Sequence, residues 1–113
     1  MLGCDIIETA RIQSAYEKMG ERFLGRVLTD RELEIFRRRN GSLQFLAGRW
    51  AAKESISKSF KTGIGKLAFK DIEILNDEHG APEVYIRSER REDIEVSISH
   101  DRNYSIAVSL IKG

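Results

Sequence analysis

The spacing of apolar positions changes halfway along the chain, from a helical period in the first half to strict alternation in the second. Residues 2–7 form a short apolar run interrupted by Asp5, and they predict a strand. A first helix is predicted over about 9–19, stopping at Gly20. Thr29-Asp30-Arg31-Glu32 reads as a capping box. The threonine oxygen accepts the amide three residues on, and the glutamate reaches back to the cap's own amide. The helix it opens should stop near Asn40-Gly41, where a left-handed residue is tolerated. A third and longest helix is predicted over about 43–60, broken by Thr62-Gly63-Ile64-Gly65.

Beyond that loop, Ile72 and Ile74 alternate with charged residues, as do Val84 and Ile86 after a turn at His79-Gly80-Ala81-Pro82. Ile94, Val96, Ile98 and His100 share one face of a further strand. Asp101-Arg102-Asn103 is a turn, and Tyr104, Ile106, Val108 and Leu110 alternate again. Helices followed by antiparallel strands predict an α+β fold in one domain, residues 1–113.

Composition narrows the function classes. With 113 residues and 41% hydrophobic content, the chain can bury a modest core, so assembly with further copies would add useful burial. A formal net charge of +1 provides no global field for nucleic acid or an anionic membrane, so any basic site must be local. One cysteine, Cys4, leaves no intrachain disulfide and fits a reducing cytosol, where it should pack as a small apolar residue. No apolar run approaches the roughly 20 residues that span a bilayer. The N-terminus lacks a signal-peptide pattern. The expectation is a soluble cytoplasmic domain.

The long helix carries the most chemistry. Leu46, Ala47, Trp50 and Ala51 cover one broad face, and Phe45, Ala52, Ile56 and Phe60 much of the opposite side, so the helix should be largely buried. Glu54 nevertheless projects between Trp50 and Ala47, with Lys58 one turn on. Two readings fit: an i,i+4 ion pair, or a functional site in a setting where an unpaired carboxylate is costly. Asp5 poses the same question, as a strand-end or capping residue or as a ligand. Two carboxylates on rigid elements would make a hard oxygen site suited to magnesium, which adds waters and substrate phosphate oxygens.

Lys61-Thr62-Gly63-Ile64-Gly65-Lys66 is either a plain helix stop or a phosphate cradle of free amides and cations; its spacing is not that of a Walker A loop. Arg49 and Lys53 add cations one turn apart. His100 is either a satisfied core histidine or, at a strand end, a contact to a ligand phosphate or ribose. Arg11, Lys18, Arg22 and Arg26 recur at spacings of seven, four and four. This basic stripe is either a solvated face or a dock for an acidic partner helix. Arg37-Arg38-Arg39 closes a helix and is explained by the macrodipole.

These blocks together resemble the small bacterial holo-acyl-carrier-protein synthases. Gly3-Cys4-Asp5-Ile6-Ile7-Glu8, followed by Arg11-Ile12, resembles their opening segment, and Phe23-Leu24-Gly25-Arg26-Val27-Leu28-Thr29 with Glu32 their next block. Phe45-Leu46-Ala47-Gly48-Arg49-Trp50-Ala51-Ala52-Lys53-Glu54 looks like their signature helix. Thr62-Gly63-Ile64-Gly65, Phe69-Lys70-Asp71-Ile72-Glu73-Ile74, Gly80-Ala81-Pro82 and Ser97-Ile98-Ser99-His100 follow in family order. Trp50 stands where phenylalanine is common, and Ser55 where alanine is.

The resemblance implies a homotrimer with active sites between neighbouring subunits, and coenzyme A and an apo acyl carrier protein as substrates. The carrier serine attacks the β-phosphorus, and 3′,5′-ADP leaves. Asp5 and Glu54 match the magnesium-binding acids. Glu54, or a water it orients, takes the serine proton, both options remaining open. Lys58 matches the lysine that assists the leaving phosphate. Arg49, Lys58, Gly63, Gly65 and His100 match regions that hold coenzyme A. Arg11, together with Lys18 and Arg22, would meet the carrier protein. The competing class is a coenzyme A or nucleotide-binding module without catalysis.

Overall fold

A computed structural model describes residues 1–60 and 67–113. Strand β1 (Leu2–Glu8) leads directly into helix α1 (Thr9–Met19). Helices α2 (Glu21–Val27), α3 (Asp30–Arg38) and α4 (Leu43–Ser59) follow. After a single 3-10 turn at Phe69–Asp71 come β2 (Ile72–Asn76), β3 (Pro82–Ile86), β4 (Glu89–Arg90), β5 (Ile94–His100) and β6 (Tyr104–Ile111). The expected α+β class is observed, with the antiparallel strands divided between two three-stranded sheets, ordered β1-β6-β5 and β2-β3-β4. The first and last strands are neighbours, in a register from Leu2 opposite Leu110 to Glu8 opposite Tyr104.

The capping box forms as read. Thr29 N–H donates to Glu32 Oε1 at 2.9 Å, and Glu32 N–H donates to Thr29 Oγ1 at 3.3 Å. The α3 stop also forms, with Asn40 at φ 57° and Gly41 at φ 69°, and the Gly41 amide donates to the Phe36 carbonyl.

The sequence reading gave no element to the segment after Gly20, which forms α2. Gly20 adopts φ 56°, ψ −133°, a conformation open essentially to glycine alone, and it turns the chain between α1 and α2. The basic stripe is therefore not one helix face: Arg11 and Lys18 lie on α1, Arg22 and Arg26 on α2.

Helix α4 packs on the inner face of the first sheet, and small side chains set its approach. Ser105, Ala107 and Ser109 of β6 all point to the helix and are buried. Ser55 and Ser59 of α4 each share a hydrogen bond with Ser109 Oγ, at 2.8 and 3.1 Å. Beside them Gly3 is required, since a Cβ there would lie 2.1 Å from the Ser55 carbonyl oxygen. This close contact brings the next turn of α4 alongside Asp5.

Because β6 turns its small residues inward, its large ones face out. Tyr104, Ile106 and Val108 are 44%, 39% and 44% exposed, and Leu2 and Ile6 on the paired strand 74% and 61%. Cys4 shares this outer face and is exposed, so it does not pack inside as its composition class implied. On β5 the expected apolar face is graded: Ile94 is buried, Val96 and Ile98 are half-buried, and His100 is exposed, which removes the core-histidine reading.

Candidate functional site

Asp5 stands on the helix-facing side of β1, with its side chain 11% exposed. Lys58 Nζ, from the last turn of α4, donates to Asp5 Oδ1 at 2.7 Å and to the Cys4 carbonyl at 3.2 Å. Asp5 Oδ2 is buried and has no hydrogen-bond partner. Glu54, one turn before Lys58, is partly buried. Burial raises its carboxyl above the ordinary glutamate range, the nearby Asp5 carboxylate adds to this, and Lys58 opposes it. Among the described residues Glu54 and Lys58 form no ion pair with each other, because Lys58 turns across to Asp5 instead. Its bond to Asp5 raises the Lys58 pKa, keeping the ammonium charged.

The residues thus converge on two carboxylates and one ammonium. Among the described residues no three His, Cys, Asp or Glu side chains cluster as a closed metal cage. A magnesium site asks for less: one or two carboxylates, the rest of the shell being water and substrate oxygen. The unpartnered Oδ2 of Asp5 beside Glu54 fits that donor set, since a buried carboxylate oxygen without a donor is costly unless a cation satisfies it.

A cavity of about 370 Å³ opens nearer the start of α4, lined by Arg39, Phe45, Arg49, Asn76, Pro82 and His100 among others. Arg49 is buried at 6% exposure; its Nε donates to the Ile74 carbonyl at 3.2 Å and its terminal nitrogen reaches Asn76 Oδ1 at 3.5 Å. The guanidinium lies 4.5 Å from the centre of the Phe45 ring. Burial, set against the attraction of Glu32, lowers its pKa to about 10, which still leaves it charged at neutral pH. His100 sits at the rim, at the end of β5.

Lys53 does not join these cations. It is fully buried, 2.5 Å from Glu32 Oε1, and also donates to the Val27 and Phe69 carbonyls. Arg11, Lys18 and Arg22 are exposed, and among the described residues none has an acidic side chain within ion-pair distance. Gly63 and Gly65 lie outside the described residues.

The profile of the 4′-phosphopantetheinyl transferase superfamily matches residues 1–109. The chain belongs to that superfamily. Its sequence is 44% identical over 108 residues to the holo-[acyl-carrier-protein] synthase of Oceanobacillus iheyensis, covering 94% of this chain and 90% of that one. It is 50% identical over 100 residues to the enzyme of that name from Streptococcus sanguinis, covering 87% and 82%. Among solved structures, it superposes on the Helicobacter pylori holo-[acyl-carrier-protein] synthase in complex with coenzyme A with a TM-score of 0.85, at 31% identity over 99% of this chain and all of that one. The Bacillus anthracis synthase in complex with CoA (3′,5′-ADP) gives 0.79, at 40% identity over 99% and 96%.

In this phosphopantetheinyl transferase the candidate residues lie towards both ends of α4. Sequence reasoning singled out Asp5, Glu54, Lys58, Arg49 and His100, and the structure divides them between two places: Asp5, Glu54 and Lys58 in one, Arg49 and His100 in the other. It missed Asn76, and it assigned Arg39 to the helix macrodipole. The arginine run at 37–39 was the available signal; what was not visible is that a neighbouring strand and turn bend round to meet its last member.

Proposed function

We propose that residues 1–113 form one catalytic domain that transfers 4′-phosphopantetheine from coenzyme A to a serine of an apo acyl carrier protein. The observation that carries this reading is the buried, unpartnered Asp5 Oδ2 beside Glu54 and Lys58. The relatives' names support the acceptor, and the coenzyme A complexes of related synthases support the donor.

The serine oxygen bonds to the β-phosphorus, the bond from that phosphorus to the bridging oxygen breaks, and 3′,5′-ADP leaves with the electron pair. Glu54, whose raised pKa makes it a better base than an exposed glutamate, takes the serine proton directly or through a water it orients. Lys58 offsets charge on the leaving phosphate. Asp5 and Glu54 would hold magnesium, which when bound neutralises pyrophosphate charge. Phosphoryl transfer asks the protein mainly to position reactants and balance charge, and side chains on a packed strand and helix suit that task. Arg49, His100 and the amides of Gly63 and Gly65 are assigned to the nucleotide end of coenzyme A. Arg11, Lys18 and Arg22 are assigned to the acidic carrier.

We place the enzyme in the cytoplasm as a homotrimer. The exposed apolar face of β1 and β6 supports burial against further copies. His100 borders both the cationic cavity and a hollow on that face with Ile6, Tyr104 and Ile106, which supports sites shared between subunits.

The test is a mass spectrum. Protein, coenzyme A, magnesium and apo carrier should raise the carrier's mass by one phosphopantetheine. An unchanged carrier, with coenzyme A still bound, would leave a binding module without catalysis.

A further inference from the structure

Three buried hydroxyls meet where α4 lies against the first sheet. Ser55 and Ser59 stand one turn apart on α4, Ser109 faces them from β6, and none is more than 1% exposed. Ser55 Oγ and Ser59 Oγ lie 2.8 and 3.1 Å from Ser109 Oγ, and Ser59 Oγ lies 3.2 Å from the Ser55 carbonyl oxygen. That carbonyl can only accept, so Ser59 donates its one hydroxyl proton there. Ser59 must then accept from Ser109, and Ser109 from Ser55. The three bonds run in one direction and use all three protons. The bond from Ser59 to Ser55 is internal to the helix. Ser109 is the member that joins helix to sheet.

The cluster adjoins the paired acids without belonging to them. Glu54 directly precedes Ser55 and Lys58 directly precedes Ser59, so each acid-facing residue is about 100° round the helix from one that Ser109 holds. On the sheet, Ser109 is opposite Gly3, and Asp5 follows Gly3 on the same face, about 7 Å along the strand. A Cβ at Gly3 would stand 2.5 Å from Ser59 Oγ and 2.9 Å from Ser109 Oγ, so the hydroxyls fill the space the glycine leaves. Lys58 also ties α4 to Asp5, but through a long, half-exposed side chain whose flexible stem leaves the helix free to shift. On the function proposed above, we propose that Ser109 is a positioning residue for the transfer. Through Ser55 and Ser59 it sets the depth and rotation of α4 against β1, and so holds Glu54 and Lys58 at a fixed spacing from Asp5. Its removal acts on the metal and the reacting centre, and leaves the outlying contacts of both substrates in place.

The test compares Ser109→Ala and Ser59→Ala with Ser105→Ala, at a temperature where thermal melting shows each variant folded. Ser105 is the control: it is fully buried on the same face of β6, and its hydroxyl has no hydrogen-bond partner among the described residues. Each variant is assayed for kcat and for both KM values, and titrated calorimetrically with magnesium. In Ser109→Ala, kcat and magnesium affinity should each fall about tenfold, the scale of losing an outer partner of a metal site. Both KM values should stay within about twofold, since the loss falls on the transition state. Ser59→Ala keeps the bond between Ser55 and Ser109 and should lose about threefold, the value of a modest hydrogen bond. Ser105→Ala should match the wild type. Unchanged kcat and magnesium affinity in folded Ser109→Ala overturn the assignment, as does an equal loss in Ser105→Ala or a loss in KM alone. If Ser109→Ala does not fold, Ser59→Ala decides on the same terms. If the wild type transfers nothing, the transferase reading fails, and the magnesium titrations still decide the role of Ser109. A wild type that neither transfers nor binds magnesium overturns both.

Discussion

Lys53 Nζ lies 2.5 Å from Glu32 Oε1, and both side chains are fully buried. Glu32 also accepts the amides of Thr29 and Ile74, so one carboxylate ties α3, α4 and β2 together. Burial lowers the Lys53 pKa and Glu32 opposes it. Removing one partner leaves the other charge buried and unpaired. Lys53→Met should cost about 3 kcal/mol in urea denaturation. Adding Glu32→Gln should recover most of that, because the glutamine oxygen still accepts an amide. A double variant no more stable than the single one would refute this account.

Asp5 and Glu54 are expected to act together on a divalent cation. Asp5→Asn and Glu54→Gln should each weaken magnesium binding by at least about tenfold in calorimetry, since even outer partners of a metal site have effects of that size. Turnover should vanish with either substitution and in excess chelator, while thermal melting shows an intact fold. Full activity in chelator would remove the metal from the mechanism.

Arg11 should matter to the carrier more than to coenzyme A. It is exposed on α1 and has no acidic neighbour among the described residues. Arg11→Glu replaces attraction with repulsion towards an acidic partner and should raise the carrier KM about tenfold or more. The coenzyme A KM should move little. Added salt should shrink the effect, because exposed charges are screened beyond about 8 Å at physiological ionic strength. A change in the coenzyme A KM alone would move Arg11 to the phosphate site.

Ile106 lies opposite Ile6 at the centre of the exposed apolar face. Ile106→Glu would bury an unpaired carboxylate in any assembly formed through that face. Sedimentation at micromolar concentration should show a trimer for the wild type and a monomer of reduced activity for the variant. A wild-type monomer with full activity would end the shared-site reading.

Asp101 links stability to pH. Its carboxylate accepts the amides of Tyr104 and Asn103, which lowers its pKa below the ordinary aspartate range. The unfolded chain lacks those donors and so binds the proton at higher pH. The stabilisation is therefore full above the ordinary aspartate pKa and is lost as pH falls through the lowered native value. Asp101→Ala should lower the melting temperature at pH 7, and the gap should close in strong acid. A gap that does not change with pH would assign the loss to packing.

What the sequence by itself determined is local. The Thr29–Glu32 capping box, the stop at Asn40-Gly41 and the period of α4 depend on residues within a few positions of one another, so they were legible. Glu54 and Asp5 were legible as acids in apolar runs, which mark a cost that something must offset. Their meeting was not legible, because it depends on how closely a strand and a helix about 50 residues apart can pack, and that depends on Gly3, Ser55, Ser59 and Ser109. The break at Gly20 was missed as a divider of the basic stripe, since spacing alone cannot show a change of helix direction. On β6 the alternation was plain, but alternation defines two faces without saying which is inside. Tertiary packing decided that: α4 sits close against Ser105, Ala107 and Ser109, so Tyr104, Ile106 and Val108 face outward.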